Sequence, residues 1–266
     1  MTPSDRGDQA VITSAANPTI AFVRSLSRRE TRAAERAFIV EGVRAVQDAL
    51  QAGAMPRLVL LRDDAPAEVI DAGQVLPVRR VAARLFDRLS DVQAPQGVLA
   101  VFPFPEIAPD WSVASPLMLV LDRLRDPGNL GTLLRSAAGA GVTAVYLTAE
   151  SVDPWNAKVV RAGMGAHFRV PLRQFDAVAA AELGERLPLR VEARADAAVD
   201  YDAVAWSQPA ALVIGGEADG VSPELSAWSN QAVSIPLAGG VESLNAAVAG
   251  SILLFEAARQ RRLLLA

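Results

Sequence analysis

Residues able to do chemistry gather in three glycine-rich, polar segments of this chain. The first is Asp122-Arg123-Leu124-Arg125-Asp126-Pro127-Gly128-Asn129-Leu130-Gly131-Thr132-Leu133-Leu134-Arg135, with carboxylates, an amide and arginines close together. The second, Gly215-Gly216-Glu217-Ala218-Asp219-Gly220, has two carboxylates among glycines. The third, Pro236-Leu237-Ala238-Gly239-Gly240-Val241-Glu242-Ser243-Leu244-Asn245, adds a hydroxyl and an amide. One such segment is ordinary turn chemistry. Three together imply a shared pocket in which backbone approaches a ligand closely. The absence of cysteine excludes thiolate metal sites and disulfides, and a single histidine, His167, argues against a zinc or iron centre. Neither the dinucleotide pattern G-x-G-x-x-G nor the phosphate-binding G-x-x-x-x-G-K-[ST] occurs in the three segments. Gly163-Met164-Gly165 comes nearest, but it follows a predicted helix and lacks the third glycine. These residues alone define an α/β enzyme with an unidentified small ligand.

The elements that must position them alternate between strand and helix. Leu117–Leu121 is a continuous apolar run suited to a strand buried on both faces, and a helix over Leu130–Ala140 follows, closed by Gly141. Strands are predicted at Ala144–Leu147, Leu189–Ala193, Leu212–Ile214 and Val233–Ile235, with helices at Asn156–Ala162, Ala177–Glu185 and Leu244–Arg262. Each glycine-rich segment therefore leaves the end of a predicted strand, where open parallel sheets bind ligands. The last helix is apolar around most of its circumference, so full burial is expected, partly in a subunit interface. Earlier in the chain, helices are predicted at Thr19–Ser27, Val43–Ala52 and Ala82–Arg88, and strands at Ala37–Val40, Arg57–Leu61 and Val98–Phe102.

Pro103, Pro105, Pro109 and Pro116 mark the clearest boundary. The expected organisation is a polar tail over 1–10, a smaller α/β domain over 11–105, a linker over 106–115 and a catalytic α/β domain over 116–266. Half of the 266 residues (51%) are hydrophobic, enough for a substantial core on each side of that boundary. No apolar run reaches the length of a membrane span, and a soluble, cytoplasmic protein is expected. A net charge of −4 argues against coating nucleic acid by charge alone. The distribution is uneven. Residues 1–105 carry a net +1 and the remainder −5, and Arg24, Arg28, Arg29, Arg32, Arg36 and Arg44 face only Glu30, Glu35 and Glu41. That stretch suits an RNA backbone, or equally a solvated helix face.

Several ordered motifs resemble those of the SpoU (TrmH-like) RNA 2′-O-ribose methyltransferases of the SPOUT superfamily. Asn129-x-Gly131-x-x-x-Arg135-x-Ala137-x-x-x-Gly141 is similar to the family's first motif, and Gly215-x-Glu217-x-x-Gly220 to the second. Ile235-Pro236-Leu237-x-Gly239, followed by Ser243-Leu244-Asn245-x-x-Val248-Ala249, is similar to the third. Asp153-Pro154-Trp155-Asn156-x-Lys158-Val159-Val160-Arg161-Ala162 and Gly165-Ala166 resemble the intermediate segment. Ahead of them, Ile12-Thr13-Ser14, Asn17-Pro18 and Phe38-Ile39-Val40-Glu41-Gly42 are similar to the L30e-like substrate-binding domain that often precedes this catalytic domain.

The resemblance implies an α/β knot: a mostly parallel sheet covered on both faces, with a deep trefoil knot, used as a homodimer. It implies S-adenosylmethionine as cofactor, held by Gly215, Ile235, Leu237, Gly239 and Leu244, and methyl transfer to a ribose 2′-oxygen. Without it, Ile235 and Leu244 read as core. Asn129, Arg135, Glu217, Ser243 and Asn245 match the catalytic positions. Arg135 is sometimes taken as the base, but a guanidinium pKa above ~12 makes neutral arginine expensive. Orienting the nucleotide and stabilising oxyanion charge, with an RNA phosphate taking the proton, is the expected role. Glu217 is expected to pair with Asn129 or Arg135. Asn129 and Ser243 also suit helix N-caps. His167 matches no catalytic role and reads as structural.

Arg24, Arg28, Arg29, Arg32 and Arg44 are the candidate RNA contacts, and no metal or membrane is implied. Three departures stand out. Gly163 occupies a position where serine is common, Gly216 replaces a polar residue, and Ala246-Ala247 replace a β-branched or serine pair. None removes a catalytic group. 23S rRNA is the expected substrate, with tRNA as the alternative. A non-catalytic RNA-binding or ribosome-assembly protein is opposed by the joint retention of the five catalytic positions. A small-molecule enzyme is opposed by the basic N-terminal stretch.

Overall fold

The computed structural model describes residues 10–66, 76–217 and 219–263. These form two units: one of residues up to Pro105 together with Trp155–Arg161, the other of Glu106–Pro154 and Ala162 onward.

In the first unit, Asn17 starts helix α1 (Pro18–Ser25). Its carboxamide oxygen accepts the Thr19 N–H at 2.9 Å, and Pro18 has no N–H left to satisfy. Helix α2 (Arg29–Glu35) then forms from a polar stretch too short to show periodicity, and the sequence pattern did not indicate it. Within it Arg32 is buried, and its Nη1 donates to the carbonyls of Leu26 and Ser27, both at 2.8 Å. Arg32 was expected among the RNA contacts; it instead satisfies orphan carbonyls at the end of α1.

Strand β1 (Ala37–Glu41), helix α3 (Val43–Gln51), strands β2 (Leu58–Arg62) and β3 (Val78–Val81), helix α4 (Ala83–Phe86) and strand β4 (Val98–Pro103) complete the unit. The sheet runs β1-β4-β2-β3, with β2 and β3 parallel and the other pairs antiparallel. β3, with arginines at two of four positions, was missed because it presents little apolar alternation. Ile20, Val23, Leu26, Leu60, Phe86 and Val101 form its core. The Trp155 indole stacks on Phe104 at 4.2 Å between centroids, and the Arg36 guanidinium lies 5.9 Å from the Phe104 ring.

The second unit is built on β5 (Leu117–Asp122), whose six residues are all buried. Each of its large apolar side chains contributes about 1.5–3 kcal/mol by leaving water. Helix α5 (Pro127–Ala140), strand β6 (Ala144–Leu147), helix α6 (Ala157–Gly163), strand β7 (Leu172–Gln174) and helix α7 (Ala177–Arg186) follow in chain order, the α6 residues up to Arg161 falling in the first unit. Then come strands β8 (Leu189–Ala193) and β9 (Ala210–Gly215), helix α8 (Pro223–Trp228), strand β10 (Gln231–Val233) and helix α9 (Ala246–Leu263).

The six strands are all parallel, in the order β10-β8-β9-β5-β6-β7. One face carries α7 and α8 over Met118, Val120, Ala211 and Val213. The other carries α5 and α9, which pack closely against each other: a Cβ on Gly250 would come within 2.5 Å of the Leu133 side chain and 3.3 Å of Ile214. Residues 106–115 lack regular structure but are held onto this unit. Arg173 donates to the Ile107 carbonyl at 2.7 Å, and Trp111 lies under the Arg186 guanidinium at 4.5 Å.

Two expectations are corrected here. α5 begins at Pro127 with Asp126 as its cap, its carboxylate accepting the Asn129 N–H at 2.8 Å, so Asn129 is not the N-cap. α9 begins at Ala246, and its cap is Asn245 rather than Ser243: the Asn245 Oδ1 accepts the N–H groups of Ala247 and Val248 at 2.9 and 3.2 Å. Within this chain, Val248 and Phe255 on α9 remain 48% and 47% exposed. Among the described residues no helix is long and apolar enough to cross a membrane.

Candidate active site

The carboxyl ends of β8, β9 and β10 open on a cavity of about 440 Å³. That is the size range of small-ligand sites. Ile214, Val233, Ile235, Leu237, Leu244 and Leu253 make its wall largely apolar, while Gly215, Gly216 and Gly220 expose backbone to it. Arg194 and Glu217 are the charged residues lining it.

Beside the cavity, side chains from three segments join in a line. Asn245 Nδ2 donates to Asn129 Oδ1 at 2.9 Å, and Asn129 Nδ2 donates to Glu217 Oε1 at 2.6 Å. A carboxylate only accepts, so Glu217 forces the Asn129 amide nitrogen toward it and leaves the Asn129 oxygen for Asn245. The Asn245 oxygen is already committed to the start of α9. Both amide orientations are therefore fixed by the network. Of the two partners expected for Glu217, Asn129 is the one it meets.

The loop after β9 is built by close backbone contact. A Cβ on Gly215 would lie 2.1 Å from the carbonyl carbon of Gly220, and one on Gly216 would lie 2.7 Å from the Arg123 carbonyl oxygen. Gly216 departs from the polar residue common in the resembling motif, and the Arg123 backbone leaves no room there for a side chain. The Gly220 N–H donates to the Gly216 carbonyl at 3.0 Å. Asp122, buried at the end of β5, accepts the Ser222 N–H at 2.7 Å. Arg123, in the left-handed region at φ 52°, donates to the Gly220 carbonyl at 3.3 Å. The β5 end thus clasps the loop at several points. Asp122 and Arg123 stood in the first glycine-rich segment but were not singled out, because nothing in their types marks a clasp.

Gly215, Glu217, Ile235, Leu237, Ser243, Leu244 and Asn245 all reach the cavity. Ile235 does so from a loop, since β10 ends at Val233 rather than continuing through Ile235. Gly239, at φ 71°, does not line it, and Arg135 projects from α5 as an exposed residue outside the wall. Sequence reading missed Ala193, Arg194 and Ala195 at the end of β8. The glycine-rich signal that marked the other loops is absent there.

His167 is buried, with Nε2 2.7 Å from the Pro154 carbonyl. Burial pushes its imidazole down to about 4, against the weaker upward pull of that carbonyl. It is a neutral structural donor at pH 7. No cluster of potential metal ligands occurs among the described residues.

An apolar cavity at the strand ends, walled by glycine backbone and flanked by an oriented amide–carboxylate chain, suits a small organic ligand with a polar group at its edge. The family model of the SpoU rRNA methylases matches residues 116–255, and that of the MRM3-like substrate binding domain matches residues 17–100. Human mitochondrial rRNA methyltransferase 3 is 34% identical, over 88% of this chain and 70% of its own length. The 23S rRNA (guanosine(2553)-2′-O)-methyltransferase RlmP of Bacillus subtilis is 29% identical, over 92% of this chain and 97% of its own. An AdoMet-bound rRNA methyltransferase from Sinorhizobium meliloti superimposes with a TM-score of 0.81 at 30% identity, covering 95% of this chain and 98% of that one. The chain belongs to the SpoU rRNA methylase family. It is an RNA methyltransferase whose cofactor is S-adenosylmethionine, and the cavity's volume and apolar wall fit that molecule.

Proposed function

We propose that this chain methylates a ribose 2′-hydroxyl of 23S rRNA, working as a homodimer. The observation that carries the reading is the Asn245–Asn129–Glu217 chain at the edge of the cavity. When bound, S-adenosylmethionine supplies a sulfonium methyl group for in-line transfer to the 2′-oxygen. The chain's own task is then alignment and charge control. Gly215, Ile235, Leu237 and Leu244 enclose the cofactor through backbone and apolar contact, with Gly239 shaping the loop that carries Leu237. Asn129, Glu217, Ser243 and Asn245 organise the edge where the nucleotide arrives. Arg135 orients that nucleotide and stabilises negative charge growing on the 2′-oxygen, while an RNA phosphate accepts the proton.

The position of Arg135 outside its own chain's cavity wall supports the homodimer: from one protomer it serves the partner's cofactor site. The half-exposed Val248 and Phe255 on α9, with Phe255 beside Gly139 of α5, supply an apolar stripe for that contact. Arg24, Arg28, Arg29 and Arg44 are exposed on the first unit, which supports their role as phosphate contacts. The trefoil knot is part of the same reading. After β9 the chain passes β8 to form β10 at the sheet edge, then returns to place α9 against α5.

The test is methyl transfer from radiolabelled S-adenosylmethionine to purified 23S rRNA and bulk tRNA, by wild type and Arg135→Ala. Label on a ribose of 23S rRNA, lost in the variant, is expected. Label on tRNA alone would replace the substrate, and an active Arg135→Ala would remove its role.

A further inference from the structure

The loop that follows β8 forms one wall of the cavity, yet none of its residues belongs to the matched motifs. Arg194 stands at its centre. Its Nε donates to Asp196 Oδ1 at 2.6 Å and its Nη1 to Glu192 Oε1 at 3.2 Å. Asp196 is 78% exposed, so that bond is screened and adds little. Glu192 is different. Its side chain is 5% exposed, on the sheet face opposite the cavity, and the same Oε1 accepts the Ser226 hydroxyl at 3.1 Å. The other oxygen, Oε2, is buried without a hydrogen-bond partner among the described residues. Compensation of this buried charge therefore rests on Arg194 and one hydroxyl.

Ser226 lies on α8, the helix that directly follows the clasped loop of residues 215–222. The sequence Arg194–Glu192–Ser226 thus ties the β8 loop, through the body of the sheet, to the element anchoring the β9 loop. Both loops line the cavity. We infer that Arg194 is a positioning residue: with Glu192 and Ser226 it braces the two loops at the spacing the cofactor requires, and so sets cofactor affinity rather than the chemical step. The inference rests on the cavity being the S-adenosylmethionine site.

The test measures S-adenosylhomocysteine binding by calorimetry, and KM and kcat for S-adenosylmethionine, in the full-length protein. Arg194→Met removes the fork and keeps the aliphatic stem. Its Kd and KM are expected to rise about tenfold, with kcat at saturating cofactor within about twofold of wild type, since a small displacement of binding groups acts on binding before chemistry. Arg194→Lys restores one charged contact and is expected to recover most of the affinity. Combining Glu192→Gln with Arg194→Met neutralises both partners and is expected to bind better than Arg194→Met alone. Ser226→Ala, the mildest change, covers the case of a poorly folded Arg194 variant; a KM rise of about twofold is expected, by loss of one hydrogen bond. Wild-type Kd in both Arg194→Met and Ser226→Ala would overturn the brace. A fall in kcat with KM unchanged would also overturn it, placing Arg194 in the chemistry. Wild-type protein that takes up no S-adenosylhomocysteine would instead remove the cofactor reading on which the brace depends.

Discussion

Two loops face each other across the cavity, and they are made differently. The loop over 215–222 is held by the ends of β5: Asp122 takes the Ser222 N–H, Arg123 takes the Gly220 carbonyl, and Gly216 sits against the Arg123 backbone. Residues 236–243 are exposed throughout, and their two glycines, at φ 71° and 72°, have nothing within 4 Å of where a Cβ would stand. In the first loop Gly215 and Gly216 are demanded by space and Gly220, at φ 62°, by backbone angle; in the second both glycines are demanded by angle alone. The described residues of the first are held in place before a ligand arrives. The second has few contacts to define it, and its order depends on what enters the cavity.

The largest effect should come from filling the space. Gly215→Ala forces a methyl group against the Gly220 backbone, and a loss of more than about 3 kcal/mol of stability is expected, beyond the usual range for overpacking. Urea unfolding with S-adenosylhomocysteine binding would check it, and a variant of wild-type stability would mean that the clasp is soft. The scaffold beneath can be stressed without touching either loop. His167 has its folded pKa depressed to about 4 against an ordinary 6.5, so below 6.5 the unfolded chain binds a proton that the folded chain refuses. Its contribution is constant above pH 6.5 and declines as pH falls toward 4, by about 3 kcal/mol in all. His167→Gln should flatten that part of the stability–pH curve relative to wild type. Equal slopes in the two proteins would rule this out.

Asn129→Ala cuts the amide chain at its centre. Activity is expected to fall on the order of 100-fold, in kcat more than in cofactor KM, as when one preorganised donor is lost. A change confined to KM would place Asn129 in cofactor binding instead. The smallest effect separates the loops most cleanly. Gly239→Ala meets no atom, only an unfavourable angle, and should cost about 1 kcal/mol of local order with the global melting transition little changed. Hydrogen exchange would show the contrast directly: S-adenosylhomocysteine should slow exchange strongly over 237–245 and little over 215–222. Equal protection of both would end the distinction.

Much of this architecture was legible from residue types. The run Leu117–Leu121 suits a strand buried on both faces and forms one, and Gly141 closes α5 at φ 74° as a left-handed C-cap should. Asn17-Pro18 starts α1 for reasons visible in the dipeptide. The motif residues Glu217, Ser243 and Asn245 do reach the cavity, and Asn129 reaches Glu217. What stayed hidden was decided by packing. Asp126-Pro127 outcompetes Asn129 as a helix start, because Pro at the first position and a carboxylate cap fit together. Arg32 is one arginine in a basic run, and only the nearby end of α1 turns it inward. Ala193, Arg194 and Ala195 line the cavity by virtue of lying on β8, next to β9 and β10; no local pattern announces it.

Asn245 occupies two posts. Its oxygen holds the first turn of α9, while its nitrogen reaches Asn129. Aspartate or serine could hold the helix start, but aspartate has no proton to give and would set a second anion near Glu217, and serine is too short to serve both ends. Substitution here therefore offers few neutral routes. On the proposed catalytic role of the amide chain, a relative released from catalysis is free to exchange one helix starter for another at this position without loss of fold, so the identity of residue 245 would separate the two cases.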